Sequence, residues 1–197
     1  MNRNETAQQY IARILAFSDG RDARAVLGST ADRLRGLVAS APPERWHDKP
    51  ALDKWSAGAV LAHLADAEIV AGWRVRLILG QDGAPLQPFD QEVWADAFHY
   101  EDADVHESLA TFSATRTSLL SLLSRVETDR LAHHGMHAER GVETIDHLMR
   151  LYAGHDLNHL AQIERLVARP SQGDQVAKEI QEKLTGRSGD QGEQFSA

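Results

Sequence analysis

Apolar residues recur at helical spacing from the beginning of the chain. One such stretch runs from Tyr10 to Leu15, is interrupted at Asp19-Gly20, and resumes from Val26 to Val38. Apolar side chains at every third or fourth position form one stripe on a helix, so this pattern predicts either one broken helix or two consecutive helices. The unit ends at Ala41-Pro42-Pro43, because proline cannot continue a helix.

Three further amphipathic stretches follow. The first begins after Ser56, a good N-cap, and ends at the turn residues between Gly80 and Pro88. The second runs from Asp104 to Leu123, and the third runs from about Thr144 to Ala168. No stretch alternates apolar and polar residues with an enrichment in β-branched residues. The sequence therefore predicts an all-α fold in which four long helices surround one core, a four-helix bundle.

The length and composition of the chain fit one globular domain. The 197 residues, of which 42% are hydrophobic, are enough for a single core. We assign residues 1–170 to the bundle and residues 171–197, which are rich in Gln, Gly, Asp, Glu, Lys and Ser, to a polar and mobile tail. The aromatic loop from Phe89 to Tyr100 is expected to pack across one end of the bundle.

Charge and cysteine content exclude several classes of function. The formal net charge of -8 argues against long-range attraction to nucleic acid or to anionic lipid. The chain has no cysteine, so any metal must be held by nitrogen and oxygen atoms, and a thiol nucleophile must come from a cofactor. No apolar run reaches the roughly 18 residues of a membrane span. We therefore expect a soluble, cytoplasmic protein with no membrane or nucleic-acid partner.

Histidines on the predicted inward faces form the strongest candidate site. His155 and His159 are four residues apart, so they lie one above the other on one helix face, and that face also carries Leu148 and Leu151. His63 lies on the apolar stripe of an earlier helix. If facing helices bring these rings together, they form a three-histidine metal site.

Such a site has open coordination positions, and its chemistry leaves the metal undetermined. Three neutral imidazoles leave the charge of the ion undiminished, and zinc, nickel, iron and manganese all accept imidazole ligands. The alternative for His63 is an ordinary core histidine that is hydrogen-bonded to the backbone or to a neighbouring helix.

Other polar residues are weaker candidates. Gln162 lies one turn beyond the histidine pair on the same face, where it could bind water or orient a ligand. His137 precedes the last helix and could approach the mouth of the site, although an ordinary loop position is the simpler interpretation. Arg74 is expected to pair with an acidic residue such as Glu68 or Asp66. Asp156 and Asn158, beside the histidines, are expected to make surface or interhelical contacts.

Two motifs resemble those of a known family. Lys54-Trp55-Ser56 leads into Leu61-Ala62-His63-Leu64-Ala65-Asp66-Ala67-Glu68, with Arg74 following, and His155-Asp156-Leu157-Asn158-His159-Leu160-Ala161-Gln162-Ile163 follows Gly141 and Thr144-Ile145. In order and spacing these segments resemble the DinB-like (YfiT-like) superfamily. The likeness spans about Tyr10 to Leu166.

The resemblance implies a four-helix bundle with up-down-down-up connections and a divalent metal at the positions of His63, His155 and His159. The family includes transferases and isomerases that use small cellular thiols, and metal-dependent hydrolases. The leading hypothesis is metal-dependent transfer of a low-molecular-weight thiol to a small-molecule substrate. Hydrolysis of an amide or ester and a non-enzymatic metal-binding or stress-response module are the alternatives. Family members often form homodimers, which an exposed bundle face would permit.

Overall fold

The computed structural model describes residues 5–169 and 180–183. The chain divides into two compact units, residues 1–167 and residues 168–197. The helices are α1 (Ala7–Ser18), α2 (Ala23–Ser40), α3 (Ala57–Gly80), α4 (Gln91–Ala97), α5 (Val105–Arg125), α6 (Thr128–Leu131) and α7 (Ile145–Ala168). Short 3₁₀ turns lie at Pro43–Trp46 and Tyr100–Asp102. The strands are β1 (Ala84–Leu86), β2 (His134–His137) and β3 (Gly141–Thr144).

The predicted domain boundary at residue 170 and most of the predicted tail, residues 171–197, lie outside the described residues. Residues 180–183 are helical and exposed. In the part of the chain that the structure describes, no helix combines the length and hydrophobicity of a membrane span.

Capping side chains explain where the helices begin. Asp22 accepts hydrogen bonds from the first backbone amides of α2, and Asp104 does the same for α5. Ser56 accepts from the amide of Ala59 and confirms the predicted start of α3. Each cap satisfies amides that have no partner within the helix. The first apolar stretch forms two helices, because the chain leaves the helical conformation at Asp19-Gly20.

Two layers of buried side chains fix the direction of the four long helices. The first layer contains Leu34, Val60, Leu61, Leu64, Leu109, Phe112, Leu160 and Ile163. The second layer contains Leu27, Val75, Ile78, Leu119, Leu123, Leu148 and Met149. Chain order therefore takes α2 and α7 from the second layer to the first, and α3 and α5 from the first to the second. This is the predicted four-helix bundle with up-down-down-up connections.

A small sheet departs from the prediction that the chain has no strands. β1 pairs in parallel with β2, and β2 pairs antiparallel with β3. Strands of three or four residues are too short to show the alternation that marks a strand in sequence. Gly135 allows the close packing, since a Cβ atom there would lie 2.6 Å from Leu86 Cδ1. His137, which precedes the last helix, thus lies in a strand.

The aromatic segment before α5 is more ordered than a loop. It contains α4, and Trp94 packs against Phe89 with ring centroids 4.7 Å apart. Tyr100 is buried, and its hydroxyl donates a 2.6 Å hydrogen bond to Asp66 Oδ2 on α3. The segment therefore packs against α3. Asp66, one of the two acids that we expected to pair with Arg74, accepts a hydrogen bond from Tyr100.

A buried ion-pair cluster joins three helices at mid-bundle. Arg116 on α5 donates to both carboxylate oxygens of Glu68 on α3, at 2.9 and 2.7 Å, and to both of Asp156 on α7, at 3.2 and 2.7 Å. It also donates to the carbonyl of Leu27 on α2. All three charged residues are at most 2% exposed. The interhelical role expected for Asp156 is confirmed, whereas the expected pairing of Glu68 with Arg74 is wrong.

Helix α1 packs closely against α7. A Cβ atom at Gly154 would lie 2.1 Å from the carbonyl oxygen of Ile14, so no larger side chain fits there without a shift of backbone. This contact lies one residue before His155, and Tyr10 of α1 lines the same cavity as Tyr152 and His155 of α7. The packing of α1 thus helps to enclose the region around the histidines.

Candidate metal centre

The three predicted histidines meet in the interior of the bundle. His63 comes from α3, while His155 and His159 come from α7 one turn apart. One ligand atom from each ring lies within 4.8 Å of the other two. Nε2 of His63 and Nε2 of His155 are 3.1 Å apart. Spacing along α7 and the packing of α3 against it therefore gather three imidazoles at one point.

Burial keeps these imidazoles neutral. Burial, followed by the neighbouring ring of His159, lowers the pKa of His63 and of His155 well below the usual value. Burial also lowers the pKa of His159 to about 4, although Gln162 and Asp156 oppose the shift. A histidine binds metal through a neutral ring. All three lone-pair donors are therefore available near neutral pH without prior loss of a proton.

Gln162 orients one of the rings, as the sequence suggested. His159 Nδ1 lies 2.9 Å from Gln162 Oε1, and an amide oxygen can only accept. Nδ1 of His159 therefore carries the proton, and its Nε2 presents a lone pair. A hydrogen bond to the second ring nitrogen is the usual way in which proteins fix the orientation of a histidine ligand.

His63 does not have the surroundings of an ordinary core histidine. Its Nδ1 is buried and has no hydrogen-bond partner among the described residues. Its ring neighbours are Trp55, 5.3 Å away between centroids, and the two histidines of α7. Buried polar atoms without partners are uncommon and usually have a functional reason. The set of three neutral nitrogen donors fits a divalent ion such as zinc, nickel, iron or manganese.

A cavity of about 500 Å³ opens beside the histidines. Its lining includes His63 and His155 together with Arg74, Phe89, His137 and Tyr152. Its volume is in the range of small-molecule pockets. A compound in this cavity can reach the histidine cluster directly.

Arg74 faces this cavity and, within residues 5–169 and 180–183, has no acidic partner, contrary to the prediction. Its Nη2 donates to the carbonyl of Gln87 at 2.6 Å, and its Nη1 lies 3.4 Å from the hydroxyl of Tyr152. Glu68 is six residues away on the same helix, about 120° around the axis, and is held by Arg116. Glu68 and Asp66 are evident as acids in the sequence, but which basic side chain pairs with them depends on contacts between helices.

His137 lies in β2 and is 3% exposed, so the interpretation as an ordinary loop residue is wrong. Its Nδ1 accepts hydrogen bonds from the backbone amides of Glu139 and Arg140, and its Nε2 lies 3.3 Å from Arg74 Nη2. The weaker prediction that His137 approaches the site agrees with its place in the wall of the cavity.

Comparison with known proteins places the chain in a family. Residues 27–163 match the sequence model described as the DinB superfamily. The chain belongs to the DinB superfamily. The match includes α3 and the part of α7 that carries His155 and His159, so it spans all three histidines.

Two bacterial relatives are similar to this chain in sequence. A protein of Oceanobacillus iheyensis named "Putative metal-dependent hydrolase" is 29% identical over 58% of this chain and 66% of its own length. "Putative metal-dependent hydrolase YfiT" of Bacillus subtilis is 27% identical over 58% of this chain and 65% of its own length. The matches thus span just under two thirds of these two relatives.

A solved DinB structure shares the fold. The structure of Bacillus subtilis YfiT, titled "a probable metal-dependent hydrolase with an unusual four-helix bundle topology", superimposes with a TM-score of 0.66 at 20% identity. The likeness covers 84% of this chain and 90% of that chain. At this identity the comparison supports the bundle architecture.

The sequence interpretation missed one residue beside the DinB histidines. Tyr152 lies three residues before His155 on α7, so it shares a face with that histidine, and its hydroxyl contacts Arg74. The helical spacing was the signal that could have found it. Its place beside the site is seen only in the folded chain, where Tyr152 lines a cavity together with residues of α1, α3, α7 and β2.

Proposed function

We propose that this protein is a metal-dependent enzyme that binds one divalent ion through His63, His155 and His159 and acts on a small molecule in the adjacent cavity. The observation that carries the proposal is the convergence of three ligand atoms within 4.8 Å of one another, beside a cavity of about 500 Å³ whose wall includes His63 and His155. The names of the DinB relatives support metal dependence. Zinc, nickel, iron and manganese all suit this donor set.

A bound divalent ion would supply Lewis acidity, which lowers the pKa of a thiol or of water and provides a nucleophile at neutral pH. The residues of this chain hold and orient the imidazoles, because Gln162 fixes His159 and the helix packing fixes the other two. Trp55 covers the ring of His63 and helps to keep bulk water from that side.

We infer that the nucleophile is a low-molecular-weight thiol, so that the reaction is a transfer. Hydrolysis usually needs a general base beside the attacking water. Glu68 and Asp156, buried carboxylates on the two helices that carry the histidines, both pair with Arg116. A thiol needs less help, because its pKa of about 8.5 is far below that of water. This arrangement favours thiol transfer as the leading reaction.

Hydrolysis of an amide or ester is the second candidate, and the names of the relatives favour it. Three exposed carboxylates line the outer part of the cavity, at Asp90, Glu92 and Glu139. Any of them could serve as the base if the substrate draws it inward.

Metal analysis of the protein purified without added metal tests whether the three histidines bind an ion. We expect one equivalent of a divalent metal in the unaltered protein and a large loss in His155→Ala and in His159→Ala. His147→Ala, on the same helix and outside the cluster, is the matched control and should keep the metal. Full metal content in both cluster variants would contradict the proposed ligands.

Two activity assays separate the candidate reactions. Consumption of monochlorobimane that requires both the metal and an added low-molecular-weight thiol supports transfer. Thiol-independent hydrolysis of activated esters supports the second candidate and overturns the first. Inactivity of the metal-loaded protein across both assays would contradict an enzymatic role and leave a metal-binding module.

A further inference from the structure

Arg74 is a buried cation whose charge no carboxylate of the described residues neutralises. The residue is 3% exposed, and its Nε is buried without a hydrogen-bond partner in the described part of the chain. Phe89 lies near the guanidinium, 5.9 Å from ring centroid to Cζ. A buried charge is costly unless it is paired. Arg140, the other arginine of the cavity wall, differs because it makes two hydrogen bonds to the buried carboxylate of Glu143.

His137 adds a second donor that faces the same point. Its Nδ1 accepts two backbone N–H groups, at 3.2 and 3.3 Å, and a neutral imidazole that accepts at one nitrogen donates at the other. Burial, with Arg140 and Arg74 nearby, lowers the pKa of His137 to about 4 although the carboxylate of Glu143 opposes the shift, so the neutral form is the relevant one. The Nε2–H of His137 therefore approaches Arg74 Nη2, which is also a donor, at 3.3 Å.

Two N–H donors at this distance repel each other unless an acceptor shares both. Tyr152 adds a third group, since its hydroxyl can accept from Arg74 at 3.4 Å and still donate its own proton. The carbonyl of Gln87 accepts from Arg74 but leaves the guanidinium charge uncompensated. Convergent donors around one positive charge are the chemistry that recognises an oxyanion.

We propose that Arg74, His137 and Tyr152, together called the Arg74 pocket, bind a carboxylate group of the substrate. The planar guanidinium matches a carboxylate, and its contacts among the described residues are with Tyr152, the carbonyl of Gln87 and His137, none of which is acidic. Insofar as it concerns the substrate, this inference rests on the proposed function, because the reacting group must lie at the histidine centre. Arg74 and His63 are eleven residues apart on α3, about 16 Å along the helix axis, but the side chain of Arg74 reaches the hydroxyl of Tyr152, which lies one turn from His155 on α7. The carboxylate and the reacting group of the substrate are therefore separate groups joined by a spacer, and ligands with spacers of different length measure the distance between the two sites.

Metal-binding hydroxamates test whether one ligand can occupy the three-histidine centre and the Arg74 pocket together. Hydroxamates that carry a carboxylate at the far end of an alkyl chain of increasing length are compared with carboxamides of the same length, by calorimetry on the metal-loaded protein. At the optimal length we expect the carboxylate to bind about ten to one hundred times more tightly, the gain typical of a hydrogen-bonded charge. Arg74→Gln should abolish this preference.

Arg76→Gln is the matched control, because Arg76 lies on the same helix but bonds to Gly72 and Ser118. It should keep the preference. Tyr152→Phe provides a second variant if Arg74→Gln fails to fold, and we expect it to reduce the preference. Equal affinity of carboxylate and carboxamide at every length in the unaltered protein would overturn the proposal.

A metal-free titration separates this inference from the metal proposal. Hexanoate added to protein treated with chelator should shift the side-chain NMR signal of His137 Nε2–H, and Arg74→Gln should remove the shift. If the metal proposal fails, hydroxamate binding is lost but the hexanoate shift remains. If inorganic phosphate shifts the signal and hexanoate does not, the assignment to a carboxylate is wrong.

Discussion

Two neighbouring buried polar clusters in this bundle differ in how far their hydrogen-bonding groups find partners within the described chain. Arg116 satisfies Glu68 and Asp156 with four hydrogen bonds, so its cluster is closed. The histidine cluster next to it leaves Nδ1 of His63 without a partner among the described residues, and the cavity connects it to the uncompensated Arg74. Asp156 and His155 are adjacent on α7, yet they belong to different clusters.

The comparison shows how neighbouring positions divide structural and chemical roles. A closed ion-pair cluster offers nothing to a ligand, and its function is to hold α3, α5 and α7 in register. An open cluster has donors and lone pairs whose partners must come from outside the chain. Because Arg116 fixes the helix that carries two histidines, the closed cluster supports the geometry of the open one.

Removal of the shared cation should have the largest effect on stability. Arg116→Gln leaves two buried carboxylates without their partner, and we expect a loss of about 3 to 5 kcal/mol in the free energy of unfolding. Denaturant unfolding measures it. Arg125→Gln, at an exposed arginine on the same helix, is the control and should change stability little. Similar values for the two variants would show that the Arg116 cluster is not structural.

Acid should destabilise the metal-free protein through the open cluster. The pKa of His159 is about 4 in the folded chain and about 6.5 when unfolded, so the unfolded state binds the proton first as pH falls. Stability is therefore lost between pH 6.5 and 4, by about 3 kcal/mol from this residue alone. Unfolding of His159→Leu with chelator present should show a correspondingly smaller dependence on pH. An unchanged dependence would mean that His159 is already protonated in the folded state.

Gln162 should affect metal affinity more than folding. Gln162→Leu removes the acceptor for Nδ1 of His159, and such hydrogen bonds typically account for a tenfold to hundredfold difference in metal affinity. Competition with a chromogenic chelator measures the change. Gln162→Glu retains an acceptor and should keep most of the affinity. Equal weakening in both variants would indicate a packing effect instead of a hydrogen bond.

An exposed ion pair on the same bundle should contribute least. Arg33 on α2 and Glu164 on α7 lie 2.7 Å apart, and both side chains are 44% exposed. We expect Arg33→Gln to change the free energy of unfolding by less than about 1 kcal/mol, since solvent screens such pairs. A double-mutant cycle with Glu164→Gln measures the coupling energy of this ion pair. A coupling energy as large as the stability lost in Arg116→Gln would show that burial does not explain the difference between the two ion pairs.

Helical periodicity predicted most of the fold and the histidine site. Ser56 and the apolar stripes defined the long helices, and the spacing of His155 and His159 placed both rings on an inward face, because these features depend on neighbours within one helix. The family resemblance supplied the connectivity.

Features that depend on contacts between elements escaped prediction. The strands that hold His137 are too short to recognise, and the partner of Arg74 depended on Arg116 having already bound Glu68. Arg116 lies among apolar residues of α5, and no local pattern reveals which acids will face it.

The central claim is that three imidazoles hold one divalent ion beside the cavity. A crystal of the protein purified without chelator, measured on both sides of the absorption edge of the metal found by elemental analysis, tests it most directly. The account predicts one anomalous peak within bonding distance of His63, His155 and His159, about 2.0 to 2.1 Å if the metal is zinc. A peak bound elsewhere, or a metal-loaded sample without a peak at these rings, would contradict it.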